Sequence, residues 1–213
     1  MSDLDRHDHA HGEESTLTDI QKRVKALESI LVSKGLVERA VIDQIIEHFE
    51  RRVGPHVGAR VVARAWTDQQ FKRALLEDAT KAINLQSDFP EVGQHLIAVE
   101  NSDSLHNVVV CTLCSCYPWD VLGLPPVWYK SAPYRSRIVS EPRSVLKDFG
   151  MELSGDKKIR VWDSTAETRY LVIPQMPAFA DTMSEPDLAN LVTRDSMIGT
   201  GEVLSLTERD VNG

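Results

Sequence analysis

Apolar residues recur with helical spacing from Leu17 onward. Leu17, Ile20, Val24, Leu27 and Leu31 follow a 3-4-3-4 pattern, which predicts an amphipathic helix. Thr18 and Gln21 have capping-box spacing at its start, and Gly35 is a natural stop. A second helix places Val41, Ile42, Ile45, Ile46 and Phe49 on one face and ends before Gly54-Pro55. Further helical pieces are predicted over 56–65 and 68–84, the latter through Phe71, Leu75, Leu76, Ala79 and Ile83. Residues 16–85 therefore read as a helical N-terminal arm. Two consecutive amphipathic helices must bury their stripes, on the chain's own core or on another subunit.

The pattern changes after "SDFPEVG". His95–Glu100, Asn107–Cys111, Lys158–Trp162 and Arg169–Ile173 are short and rich in β-branched or aromatic residues, which predicts strands. Between the second and third lie "LPPVWYK", "APYRSRIVS" and "EPRSVLKDFG", each with a proline near its start, where a helix tolerates one. A last helix is predicted from Ser184 to Arg194, with Ser184 as N-cap and Leu188, Leu191 and Val192 inward. Helices first, then strands mixed with helices, predicts an α+β fold. Residues 1–15 read as a disordered tail, 86–200 as a mixed α/β layered domain, and 201–213 as a loose C-terminal tail.

Charge narrows the function. The chain of 213 residues carries 24 basic and 32 acidic residues, a net charge of −8. Without a dense basic run it lacks what phosphate neutralisation needs, so nucleic acid is not an expected partner. Arg135, Arg137 and Arg143 form only a modest group, read as a solvated helix face or a subunit contact. No apolar run approaches the ~20 residues that span a bilayer. The polar, acidic start "MSDLDRHDHAHGEE" is not a signal peptide, so a cytoplasmic location is expected. The tract His7, His9, His11 reads as a solvated or metal-scavenging tail.

All three cysteines, Cys111, Cys114 and Cys116, fall within six residues. An odd count argues against a disulfide framework. A structural zinc site needs four ligands, usually as two separated pairs, and no second pair exists. His106 lies about 16 Å from Cys111 along an extended strand, too far to share an ion. Iron–sulfur spacings do not match, and a Cys111–Cys114 redox pair leaves Cys116 unexplained. Sulfurs at i, i+3 and i+5 can instead wrap one ion from a single loop, a metal claw at 111–116. Two backbone nitrogens between the last two cysteines complete five ligands and leave one octahedral position open. Such a site is a Lewis acid, and its soft donors favour a late first-row metal.

The stretch "VCTLCSCYPW" resembles the metal-binding motif of the nitrile hydratase alpha subunit family. The similarity continues through "LGLPPVWYK", "YRSR", "EPRSVLKDFG", "IRVWDSTAETRYLVIPQMP" and "LVTRDSMIG", and upstream through "RVKALESILVSKGLV", "VGPHVGARVVARAW" and "HNVVV". It covers nearly the whole chain beyond residue 15.

The resemblance implies metal ligation by the sulfurs of Cys111, Cys114 and Cys116 and by the backbone nitrogens of Ser115 and Cys116. It implies Cys114 oxidised to sulfinate and Cys116 to sulfenate, with Cys111 unoxidised opposite the open position. Arginines of the partner subunit would hold the added oxygens. Thr112 and Tyr117 match the cobalt type, implying a non-corrin Co(III) centre, with Fe(III) as the alternative. Trp119 matches a pocket-lining residue, or packs the loop. Asp163 and Glu167 match acids that support the metal ligands, or form ordinary salt bridges with Arg160 or Arg169.

The implied reaction is R–C≡N plus water giving R–C(=O)NH₂, with no organic cofactor. Water activated by the metal and the sulfenate oxygen on Cys116 both remain open as nucleophile. The implied partners are a beta subunit, in an α2β2 heterotetramer, an activator protein and a small nitrile. A thiocyanate hydrolase subunit shares the claw, but Trp119 and "WDVLGLPP" favour the nitrile enzyme. A metal-storage or metallochaperone subunit would also use the claw, and would release its metal to a chelator.

Overall fold

The computed structural model describes residues 19–51, 53–114 and 116–205, with the side chains of 48–51 left aside. The expectations for the tail 1–15, the histidine tract, Leu17, Thr18, Ser115 and residues beyond 205 lie outside this set. The chain divides into two compact units, 1–46 and 47–213.

In the first unit, α1 spans Asp19–Ser33. Gly35, at φ +66°, ends it: its N–H donates to Val32 and that of Leu36 reaches back to the Leu31 carbonyl. The predicted stripe of α1 is present but not buried; Ile20 is 73% exposed and Leu27 58%. Helix α2 spans Arg39–Arg51, and an Arg39–Glu28 contact of 3.5 Å links it to α1.

The second unit opens with α3 (Pro55–Thr67), whose proline stands in the first turn. Val57, Val61, Val62 and Ala65 bury one side of it. The helical stretch expected over 68–84 consists of two helices, α4 (Gln69–Glu77) and α5 (Ala79–Asn84). Asp78 takes an extended conformation between them, and its carboxylate accepts from the N–H of Lys81 as an N-cap. Asp68 caps α4 in the same way.

Strands β1 (His95–Glu100), β2 (Leu105–Val110), β3 (Lys158–Asp163) and β4 (Thr168–Ile173) follow. They form two parallel pairs, β1 with β4 and β2 with β3, rather than one sheet. In the second pair Leu105 lies opposite Lys158 and Val110 opposite Asp163. Between β2 and β3 run α6 (Trp119–Leu122), a 3-10 turn at Val127–Lys130, α7 (Ala132–Ser140) and α8 (Pro142–Asp148). The C-terminal helix expected over 184–194 stops early, as α9 (Glu185–Ala189), and a separate helix α10 (Arg194–Ile198) begins at its expected end. Thr193 starts α10 with a capping box, which makes a new helix cheaper than an extension of the old one. One hydrophobic cluster gathers residues from α3–α5, the strands, α7, α8 and α10.

A polar network pins the start of β2. His106 is 4% exposed. Its Nε2 lies 2.7 Å from the Gly199 carbonyl, which can only accept, so Nε2 carries the proton. Nδ1 then accepts from Asn101 Nδ2 at 3.3 Å. Asn101 Oδ1 accepts from the Asn107 N–H at 2.7 Å, and Asn107 Oδ1 accepts from Trp162 Nε1 at 2.9 Å. The neutral imidazole satisfies every partner; a second proton would face the Asn101 amide hydrogens. Burial, with help from Lys157, holds His106 below the ordinary histidine value against the Gly199 contact and Glu202.

Gly199 has φ +89°, and a Cβ there would lie 2.0 Å from the Asn107 carbonyl oxygen. Gly199→Ala is expected to cost about 2–5 kcal/mol in denaturant unfolding. Gly155→Ala, where a Cβ meets nothing within 4 Å, should stay within about 0.5 kcal/mol. His106 protonates more readily unfolded than folded. Its contribution is therefore complete above about pH 6.5 and is lost as pH falls toward the depressed folded value. Thermal unfolding should drop between pH 7 and 5, and His106→Gln should flatten that drop.

Candidate metal centre

The loop leaving β2 carries the cysteines, so strand register fixes where the first one sits. Val110, opposite Asp163, is the last strand residue before Cys111. The Ser164 N–H donates to the Val110 carbonyl at 2.7 Å and closes the pair. Asp163 then turns its carboxylate onto the loop. Its Oδ1 accepts from the Thr112 N–H at 2.9 Å, and its Oδ2 from the Thr112 hydroxyl at 2.6 Å. Arg160 and Arg169 were the salt-bridge candidates for Asp163; among the described residues its carboxylate partner is Thr112.

The three sulfurs converge. Cys111 Sγ lies 3.4 Å from Cys114 Sγ, which lies 3.0 Å from Cys116 Sγ. All three fall within 4.8 Å of one another, and among the described residues no His, Asp or Glu joins the group. His106 is engaged at the other end of β2, as its distance along the strand requires. Three sulfurs bound at right angles about 2.3 Å from one ion would sit about 3.3 Å apart, close to two of the observed separations. The donor set thus suits a thiophilic metal, with the third separation also within 4.8 Å.

Electrostatics point the same way. Cys111 and Cys116 are buried, while Cys114 is exposed. Burial, then contact with Cys114 and Cys111, pushes the Cys116 thiol up to about 12, with Arg169 acting in the opposite sense. Crowded by two other sulfurs, the Cys116 thiol resists becoming a thiolate by itself. A cation among the three supplies the missing charge and reverses that preference.

Aromatic residues form the floor. The Tyr129 hydroxyl donates to the Cys116 carbonyl at 3.0 Å, and that of Tyr134 to the Val109 carbonyl at 2.7 Å. Tyr117 meets Tyr129 edge-on at 5.1 Å, and Trp128 meets Phe149 at 4.7 Å. Burial raises all three tyrosine hydroxyls above their ordinary value, so they stay protonated. On the outer side, Arg135 Nη1 donates to the Cys114 carbonyl at 3.3 Å.

Tyr129 and Arg135 were not among the residues expected at the site. Both lie in prolines-and-aromatics segments whose packing, rather than spacing, brings them to the loop. Trp119 begins α6 just beyond the claw and is 41% exposed. Leu113, inside the claw, is 86% exposed and leaves an apolar rim. Glu167 sits on the exposed turn between β3 and β4, where its N–H donates to Thr165 Oγ1. No contact among the described residues joins its carboxylate to the claw or to Arg160 and Arg169.

Known proteins resemble the chain along nearly its whole length. A family model described as nitrile hydratase, alpha chain, matches residues 18–201. The chain is 53% identical over 188 residues to the cobalt-containing nitrile hydratase subunit alpha of Pseudonocardia thermophila, covering 88% of this chain and 92% of that one. It is 39% identical over 194 residues to the thiocyanate hydrolase subunit gamma of Thiobacillus thioparus, covering 86% and 79%. A solved structure of an Fe-type nitrile hydratase from Comamonas testosteroni Ni1, a double mutant, matches with a TM-score of 0.75 at 40% identity, covering 86% and 90%. With its claw, its α+β fold and this breadth of similarity, the chain belongs to the nitrile hydratase alpha-chain family.

Proposed function

We propose that this chain is the metal-bearing subunit of a nitrile hydratase and holds one Co(III) ion in the claw. The reaction is hydration of a nitrile to the corresponding amide. The observation that carries the reading is the convergence of three sulfurs from one loop, with no fourth side-chain ligand in the described cluster. Cys111, Cys114 and Cys116 would give the sulfurs, and the backbone nitrogens of Ser115 and Cys116 the remaining protein ligands. Bound there, the ion supplies Lewis acidity. Cobalt is favoured over iron by Thr112 and Tyr117 and by the cobalt-containing relative. Oxidation of Cys114 to sulfinate and of Cys116 to sulfenate belongs to the same proposal. The exposure of Cys114 supports it, since an oxidant can reach that sulfur.

The chain's own residues prepare the site. Asp163 orients the claw through both polar groups of Thr112. Trp119 and Leu113 give the approach an apolar wall suited to the carbon body of a small nitrile. Tyr129 and the buried aromatic floor exclude water from beneath the sulfurs. Glu167 stands further out, on the exposed turn between β3 and β4, as an acid that supports the site from its edge.

A beta subunit is the proposed partner, in an α2β2 assembly. The uncovered stripe of α1 and the apolar rim of the claw support it: Val24, Leu27, Ile30 and Leu113 are each more than half exposed. An activator protein for metal loading and a cytoplasmic location complete the proposal. Among the described residues no helix is long and apolar enough to cross a membrane.

The test is made on the complex, co-expressed with its beta subunit and activator in cobalt medium. Cys114→Ala should lose retained cobalt and amide formation together, with little change in fold because the side chain is exposed. Full cobalt and full turnover in that variant would defeat the claw reading. Asp163→Asn should lower turnover by about 10–100-fold, the usual effect of losing a partner that orients a metal ligand set. Comparison of nitrile and thiocyanate as substrates separates this reading from the thiocyanate hydrolase one.

A further inference from the structure

Three side chains from outside the loop grip the backbone of the claw. Asp163 takes Thr112, Tyr129 takes the Cys116 carbonyl, and Arg135, from α7, takes the Cys114 carbonyl. The third differs from the others because it brings a full positive charge. Two positions along the same helix, Arg137 is neutralised by Glu141 at 2.9 Å and Asp148 at 2.8 Å. Among the described residues no carboxylate pairs with Arg135. Its Nε is buried without an acceptor, and its Nη1 donates to the Cys114 carbonyl. A half-buried guanidinium without a counter-charge is costly to keep unless negative charge arrives beside it.

The Cys114 carbonyl is where such charge would arrive. Its peptide bond joins it to the backbone nitrogen of residue 115. The partial double bond between carbon and nitrogen lets nitrogen and oxygen share electron density. When an amide nitrogen ligates a metal ion, the same resonance leaves negative charge on the carbonyl oxygen. We propose that Arg135 is a positioning residue for the metal centre: it holds the peptide between Cys114 and residue 115 in place and compensates the charge that ligation puts on its oxygen. The inference rests on the metal reading proposed above and names a device within it. It also accounts for an arginine at the claw that forms no ion pair among the described residues.

The experiment compares the wild-type complex with Arg135→Lys, Arg135→Gln and Arg135→Met, co-expressed with the beta subunit and activator in cobalt medium. The readouts are cobalt per chain, the rate of cobalt loss to a chelator, the visible absorption of the centre, and thermal unfolding. Arg135→Lys keeps the charge and should retain cobalt with a near wild-type spectrum. Arg135→Gln keeps a donor but not the charge. It should lose cobalt about tenfold faster or more, with a shifted visible band, as Arg135→Met should, because a hydrogen bond to a charged group is the stronger kind. Gln and Met variants with the wild-type spectrum and loss rate would overturn the inference. So would equal loss in all three variants accompanied by a lowered unfolding temperature, which would mark a packing role. A wild-type complex without tightly held cobalt would overturn the metal reading itself, and this inference with it.

Discussion

Bringing three sulfurs to within 4.8 Å of one another is the demand on which this structure turns. Two of them, Cys111 and Cys116, are buried, and burial makes the Cys116 thiol harder to ionise. A loop left to itself would spread them apart. The fold prevents this by fixing both ends of the loop. The parallel β2–β3 register sets Val110 opposite Asp163, so that Cys111 leaves the strand there, and the tight turn into α6 sets Cys116 over the aromatic floor. Asp163, Tyr129 and Arg135 then hold the backbone between those ends, each by a hydrogen bond to a main-chain group. The thiols are thus crowded before any ion arrives, and the cation that relieves the crowding is the natural occupant.

The other end of β2 has the opposite chemistry. There the polar groups are neutral and fully paired, from Trp162 through Asn107 and Asn101 to His106 and the Gly199 carbonyl. Such a network is worth keeping only if every member is satisfied. It locks the strand along its axis, so that a slip cannot move Cys111 off its place. Gly199 is required because the carbonyl of Asn107 occupies the space a side chain would need. Stability at one end of the strand and chemistry at the other are therefore linked through six residues of backbone.

Much of this can be read from the sequence where the signal is local. The spacing of Cys111, Cys114 and Cys116 already implies that their sulfurs can meet. Strand β1 lies where β-branched and apolar residues predict it, and the proline-started helices between β2 and β3 are present. Longer-range features are not legible in the same way. Asp78 and Thr193 break runs that keep helical periodicity, because a capping side chain can outweigh one further turn of apolar stripe. The pairing of β2 with β3 joins segments about fifty residues apart, and nothing in either strand names its partner. The Thr112–Asp163 contact depends on that pairing. Tyr129 and Arg135 depend on helix packing, so the spacing that exposes the cysteines says nothing of them. The α1 stripe was open to a partner from its pattern alone, and it stays uncovered within its own unit.

The central claim is that the three cysteines hold one metal ion as a single centre. Its most direct test is the metal content of the complex, purified after co-expression with the beta subunit and activator in cobalt-supplemented medium, before and after prolonged chelator treatment. The account predicts about one cobalt per alpha chain, retained through that treatment, as a single octahedral centre requires. Iron at the same level would preserve the claw and contradict the choice of metal. Easily stripped zinc, or no metal at all, would contradict the claim itself.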